Sequence, residues 1–312
     1  MDIVLTSALP LFALIGLGYW VGKLDSFPES GVKGIILFVW YLAMPALIYK
    51  LMSVNPLPDL ADTWMLSGFL IPMVVLFMLT VLILGSFFNH DYKERAMYAY
   101  SISFGNKAYM GIPLTYATFG DVGLRVNILI LSTHEVILIL LAVLVMAADP
   151  KQKKSILNSL KEAGLGFMKN PVILSIAFAM LASAYQYTAP SPLLTLVDLL
   201  APAAAPAGLF ALGASLASVN AKGDRVQASV AAGAKLFLFP LMVYTTTQIM
   251  NISGTEQYTL LLLSCLPTGL NAFNYAVTVG TGSRRAASTI LYSTLVSMIT
   301  VSLFLLFISG RA

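Results

Sequence analysis

Asn106 and Lys107, in the run Phe104-Gly-Asn-Lys-Ala-Tyr-Met-Gly-Ile-Pro113, are amide and ammonium donors set among helix breakers in otherwise apolar sequence. Asn271 and Asn274 occupy a second such run, Cys265-Leu-Pro-Thr-Gly-Leu-Asn-Ala-Phe-Asn-Tyr275. Donors of this kind, with no carboxylate beside them, suit an anion rather than a metal cation. Gly105, Gly111 and Gly269 permit close backbone approach, while Pro113 and Pro267 each withdraw a donor. Where a helix resumes after each interruption, its first turn adds free N–H groups and a partial positive charge. The predicted binding set is Asn106, Lys107, Tyr109, Pro113, Pro267, Asn271 and Asn274, with Phe273 and Tyr275 as further aromatic lining. The plain alternative is two kinked core helices whose asparagines repair the broken backbone.

A second set of residues places charge inside apolar sequence. Counting inward at about 1.5 Å per residue puts Lys107, His134, Glu135 and Lys235 roughly 14–18 Å deep in a ~30 Å apolar layer, with Asp198 shallower. A charge at that depth costs about 2.5–3.5 kcal/mol, so these side chains are expected to face inward and to be paired. Lys107 is expected to serve as counter-ion to a substrate carboxylate or as a proton-titrating group, its structural alternative being an ion pair with Glu135. Lys235 is expected either to snorkel or to pair with Asp198 across spans seven and eight. His134 and Glu135 adjoin, so on a helix they point about 100° apart and only one can face a given partner. His134-Glu135 opens like a zinc-protease helix, but Leu138 stands where the second histidine would be. Gly213-Ala-Ser-Leu216 is a poor match to a serine hydrolase, and no glycine-rich phosphate loop is present. No metal, cofactor or nucleic-acid partner is expected.

Membrane helices must position these residues. The 312 residues are 58% hydrophobic and 10% charged, with mean hydropathy +0.85, far from the soluble norm of about 25% charged. Ten apolar spans are predicted, over 3–22, 34–52, 64–88, 96–119, 123–147, 170–187, 192–219, 226–249, 257–280 and 286–308. The first lacks a basic leader and a small-residue cleavage pattern, so it reads as a retained span. Thirteen of the 18 Lys and Arg residues fall in linkers after odd-numbered spans, which predicts a multi-pass plasma (inner) membrane protein with both termini extracytoplasmic. Pro10, Pro45, Pro72 and Asn106 recur as Pro171, Pro206, Pro240 and Asn271 at offsets of 161–168. That spacing predicts an inverted repeat, 1–148 and 170–312, joined by a basic cytoplasmic connector over 149–169 that can touch lipid headgroups. Spans four and nine, the interrupted ones, then run antiparallel. Cys265 is the single cysteine, so no intramolecular disulfide forms.

Four stretches together resemble the auxin efflux carrier family of bile-acid/sodium-symporter-like transporters, which includes plant PIN proteins and bacterial malonate carriers. They are Asn106-Lys-Ala-Tyr-Met-Gly-Ile-Pro113, Pro267-Thr-Gly-Leu-Asn-Ala-Phe273, Tyr41-Leu-Ala-Met-Pro-Ala-Leu47 and Lys235-Leu-Phe-Leu-Phe-Pro240. The resemblance covers essentially the whole chain. It implies an all-α fold with crossed helices four and nine, a scaffold of spans one, two, six and seven, and a transport domain of the other six. It also implies a small carboxylate substrate, auxin-like or malonate-like, moved by an elevator motion, and dimers through the scaffold. Two departures matter. The long central loop of many plant members is absent, and Lys107 stands where the family is expected to carry a small polar residue, which favours proton over sodium coupling. A sodium/proton antiporter or an anion-sensing receptor built on the same crossover is the alternative.

Overall fold

The computed structural model describes residues 9–24, 26–54, 60–88, 90–150, 171–217 and 225–309. Among them every regular element is helical, and the one β contact is an isolated antiparallel bridge between Gly105 and Thr268. In chain order the helices are α1 (Leu9–Val21), α2 (Glu29–Met52), α3 (Leu60–Phe87), α4 (Tyr92–Ser103) and α5 (Lys107–Ala147). There follow α6 (Pro171–Ala184), α7 (Ser191–Ala217), α8 (Arg225–Ile249), α9 (Gly254–Ser264), α10 (Asn271–Val279) and α11 (Ser283–Ser309). Six of these, α2, α3, α5, α7, α8 and α11, are long and apolar enough to cross a membrane, while α1 and α6 are shorter apolar helices. The connector expected over 149–169 lies almost wholly outside the described residues.

Three helices widen into a single π-turn, and a proline accounts for each. The turns Val39–Ala43, Lys107–Gly111 and Ala234–Leu238 end two residues before Pro45, Pro113 and Pro240. Proline has no N–H for the carbonyl four residues back, and its ring crowds that carbonyl. The residue before each proline instead bonds five back: Met44 to Val39, Ile112 to Lys107, and Phe239 to Ala234. Such bulges frequently mark functional sites.

The boundary expected between the spans over 96–119 and 123–147 falls at a sharp bend. Helix α5 runs through both the end of the first stretch and all of the second, turning only at Gly120, whose φ of 62° and ψ of −147° suit glycine alone. Just beyond it, Arg125 Nη1 and Nη2 donate to Asp62 Oδ1 and Oδ2 at 2.7 and 2.6 Å, clamping the second limb of α5 to the start of α3.

Helices α1 and α7 meet backbone to backbone. A Cβ on Gly18 would fall on the Phe210 carbonyl, and one on Gly213 on the Ile15 carbonyl. A Cβ on Gly22 would sit 2.7 Å from the Ala214 carbonyl oxygen. This small-residue seam lets two helices lock in lipid without a hydrophobic driving force between them.

Candidate functional site

The two interruptions hydrogen-bond to each other. Asn106 N–H donates to the Pro267 carbonyl at 2.8 Å, and Gly269 N–H to the Phe104 carbonyl at 3.3 Å, either side of the Gly105–Thr268 bridge. Thr268 ties in both flanks: its N–H donates to Ser293 Oγ at 3.1 Å, and its Oγ1 to the Ser101 carbonyl at 3.0 Å. Broken helices inside an apolar layer need protein partners for freed backbone groups, and here each break supplies them to the other. Asn106 sits at the centre of an inverse γ-turn, φ −75° and ψ 61°, with Lys107 N–H donating to the Gly105 carbonyl at 2.8 Å.

The asparagine side chains are therefore not the menders of the backbone. Asn106 Nδ2 is buried with no hydrogen-bond partner, and Asn271 Nδ2 donates to Glu135 Oε1 at 3.1 Å. Asn106, Lys107, Tyr109, Glu135 and Asn271 line one small space of about 20 Å³, enough for a water and too small for a carboxylate. Its opposite wall is apolar and comes from α2 and α6, through Trp40, Met44 and Val172. The sequence reading missed that wall. Trp40 could have been flagged, since it lies within the π-turn that Pro45 imposes.

Lys107 is fully buried and its Nζ has no hydrogen-bond partner. It lies 4.9 Å from the Phe69 ring centroid and 5.9 Å from that of Phe104, a cation–π setting. The ion pair with Glu135 does not form, although both residues face the same space. Lys235, also fully buried, comes to the same place from α8: a Cβ on Gly105 would lie 3.2 Å from Lys107 Nζ and 3.5 Å from Lys235 Nζ. Lys235 Nζ donates to the Ser264 carbonyl at 2.8 Å, closing the last turn of α9, and lies 4.5 Å from the Phe239 ring centroid. Phe69 and Phe239 meet edge to face at 5.1 Å, so an aromatic pair joins the two ammonium groups.

Several expectations need correction. Asp198 is not a buried charge: its side chain is 61% exposed and pairs with Lys50 at 2.7 Å, not with Lys235. Asn274 is exposed and lies away from the small space, on the wall of a separate cavity of about 640 Å³. Phe273 lines that larger cavity too, while Tyr275 packs on Tyr100 with centroids 5.0 Å apart. Pro113 and Pro267 shape the breaks without lining the space. His134 turns away from Glu135, its Nδ1 against the Ile130 carbonyl at 3.0 Å and its ring stacked on Phe104 at 5.2 Å. The larger cavity carries Lys33 and Arg284, and Leu270 is the one residue lining both cavities. Among the described residues no cluster of His, Cys, Asp and Glu could hold a metal.

A family model described as membrane transport protein matches residues 3–305. The chain belongs to that family. This member of the membrane transport protein family is 32% identical over 311 residues to a protein of Rhizobium meliloti (strain 1021) named "Putative malonate transporter", covering 97% of this chain and 95% of the relative. It is 25% identical over 315 residues to an uncharacterised transporter of Methanocaldococcus jannaschii, covering 97% of each. The resemblance to the auxin efflux carriers is borne out at the level of family, and the protein is a multi-pass membrane transporter.

Proposed function

We propose that this transporter is a secondary carrier of a small organic anion of the malonate type, bound where the two interrupted segments cross, in a conformation that widens the present 20 Å³ space between α5 and the wall from α2 and α6. The observation that carries the reading is the grouping of unpartnered donors, Asn106 Nδ2 and Lys107 Nζ, with Lys235 beside them and Glu135 as the one acid in the space. Lys107 and the neighbouring Lys235 set against one acid, Glu135, leave a net positive charge that a carboxylate offsets, and malonate as the candidate follows the name of the 32% identical relative. The first turn of α5 adds N–H groups of Ala108 and Tyr109 that have no helical acceptor.

On this reading the protein has ten spanning segments in a five-plus-five inverted repeat, with α4 joined to the first limb of α5, and α9 to α10, as the crossed pair. The element positions and the repeat offsets support it. Spans one, two, six and seven, here α1, α2, α6 and α7, form a scaffold locked by the glycine seam, against which the remaining helices slide as a transport body. Tyr109 rests on bare Gly208 backbone, a smooth contact across that boundary. The 640 Å³ cavity is lined by Glu29, Lys33 and Arg284, and the charge rule assigns Lys33 and Arg284 to the cytoplasmic side and both termini to the outer side. Protons are the proposed coupling ion and a homodimer the proposed assembly.

The test is exchange of labelled malonate in proteoliposomes, with acetate, succinate and indole-3-acetate as competitors, with and without sodium and a pH gradient. Saturable counterflow competed by dicarboxylates supports the proposal; binding without flux would make the protein a sensor, and sodium-for-proton exchange without malonate would make it an antiporter. Asn106→Ala is expected to weaken malonate binding about tenfold, one lost hydrogen bond to an anion, while folded yield holds; Asn271→Ala is expected to weaken binding similarly and also to lower the melting temperature, since it takes a donor from buried Glu135. Malonate-induced thermal shifts read both quantities, and an unchanged shift in either variant removes that asparagine from the site.

A further inference from the structure

We infer that Asn127, outside the small space and on the second limb of α5, is the positioning residue that sets Lys107 in its working orientation; this rests on the carrier reading above. Asn127 is fully buried, and its Nδ2 donates to the Lys107 carbonyl at 3.1 Å, with Thr115 Oγ1 at 3.5 Å. The Thr115 hydroxyl gives its own proton to the Gly111 carbonyl at 2.8 Å, so both groups facing the amide are acceptors and its nitrogen must face them. The Lys107 carbonyl thus takes two donors, the Ile112 N–H that defines the π-turn and the Asn127 amide. Gly111 makes room, since a Cβ there would sit 3.0 Å from Nδ2.

The amide is a poor choice for stability alone. Its Oδ1 is buried without a partner, and the carbonyl it serves already accepts a backbone N–H. An apolar group of the same shape in its place would leave no buried group unpaired, since the Lys107 carbonyl keeps the Ile112 N–H, so its loss should cost little stability. What the amide does supply is a tether from one limb of α5 to the other, exactly one residue from the inverse γ-turn at Asn106. Without it the Lys107 carbonyl is held only by the Ile112 N–H, and the Lys107 peptide is free to rock about the inverse γ-turn at Asn106, which would swing the Lys107 side chain off the Phe69 ring and away from the crossover.

The experiment compares Asn127→Leu, Asn127→Ala, Lys107→Ala and the Asn127→Leu/Lys107→Ala double variant in malonate exchange, alongside melting temperatures without ligand. Asn127→Leu should melt near the wild-type temperature yet raise the malonate KM about tenfold with little change in maximal rate. In the Lys107→Ala background the same substitution should add nothing, because it acts through that lysine. Asn127→Ala should show the KM effect even if the leucine packs badly. A wild-type KM in both Asn127 variants overturns the role while leaving the carrier reading intact, as does an equal penalty with and without Lys107. A wild-type protein that exchanges no malonate overturns both.

Discussion

Lys107→Ala is expected to cut malonate exchange by roughly a hundredfold, the value of a hydrogen bond to a charged group in a buried site. Its Nζ has no acceptor in the protein and is fully buried, so the only bond it can contribute to function is one to something that enters the space. Folded stability should not fall in step. An unpaired buried ammonium opposes folding, and Lys107→Met, which keeps the stem over Phe69 without the charge, should melt as high as wild type or higher. Exchange rate and melting temperature measured on both variants separate the two effects. Normal exchange in either would remove Lys107 from the site.

The largest stability effect is expected at the seam between α1 and α7. Gly213→Leu drives a side chain into the backbone of α1 at Ile15 and Tyr19, and no rotamer change relieves a clash with backbone. The cost is put at about 3 kcal/mol or more, enough to remove most folded protein. Gly16→Leu is the matched control, since a Cβ there has nothing within 4 Å. Size-exclusion profiles in detergent should show Gly16→Leu monodisperse and Gly213→Leu depleted or aggregated; equal profiles would mean that α1 and α7 do not need their close approach.

The positions of the breaks were legible because glycine, proline and asparagine are costly inside apolar helices and so announce themselves. Asn106, Lys107 and Asn271 could be nominated on that ground, and the structure brings them together with Tyr109 and Glu135. Direction about a helix axis was less legible than depth along it. Counting residues gave Asp198 a shallow interior position, but the stretch Ser191–Leu200 buries no side chain at all, so the carboxylate points outward to Lys50. The same blindness hid the partner of Lys235, which is a helix-terminal carbonyl and therefore has no side-chain signature. Asn274, three residues beyond Asn271, lies almost a full turn on and still ends outside the small space, because the helix there has moved on towards the larger cavity. Met44 and Val172 were invisible as a wall, since apolar residues in apolar helices carry no mark of what they face, and Trp40 was marked only through Pro45.

The three π-turns bear on how this chain can change in length. Each holds one residue more than an α-helix needs over the same rise, so deleting a residue there would close the turn into ordinary α-helical register. It would also set Pro45, Pro113 or Pro240 against the carbonyl four residues back. Insertions and deletions that surface loops absorb freely should therefore be excluded from Val39–Ala43, Lys107–Gly111 and Ala234–Leu238, making residue count itself an inherited constraint at these three places.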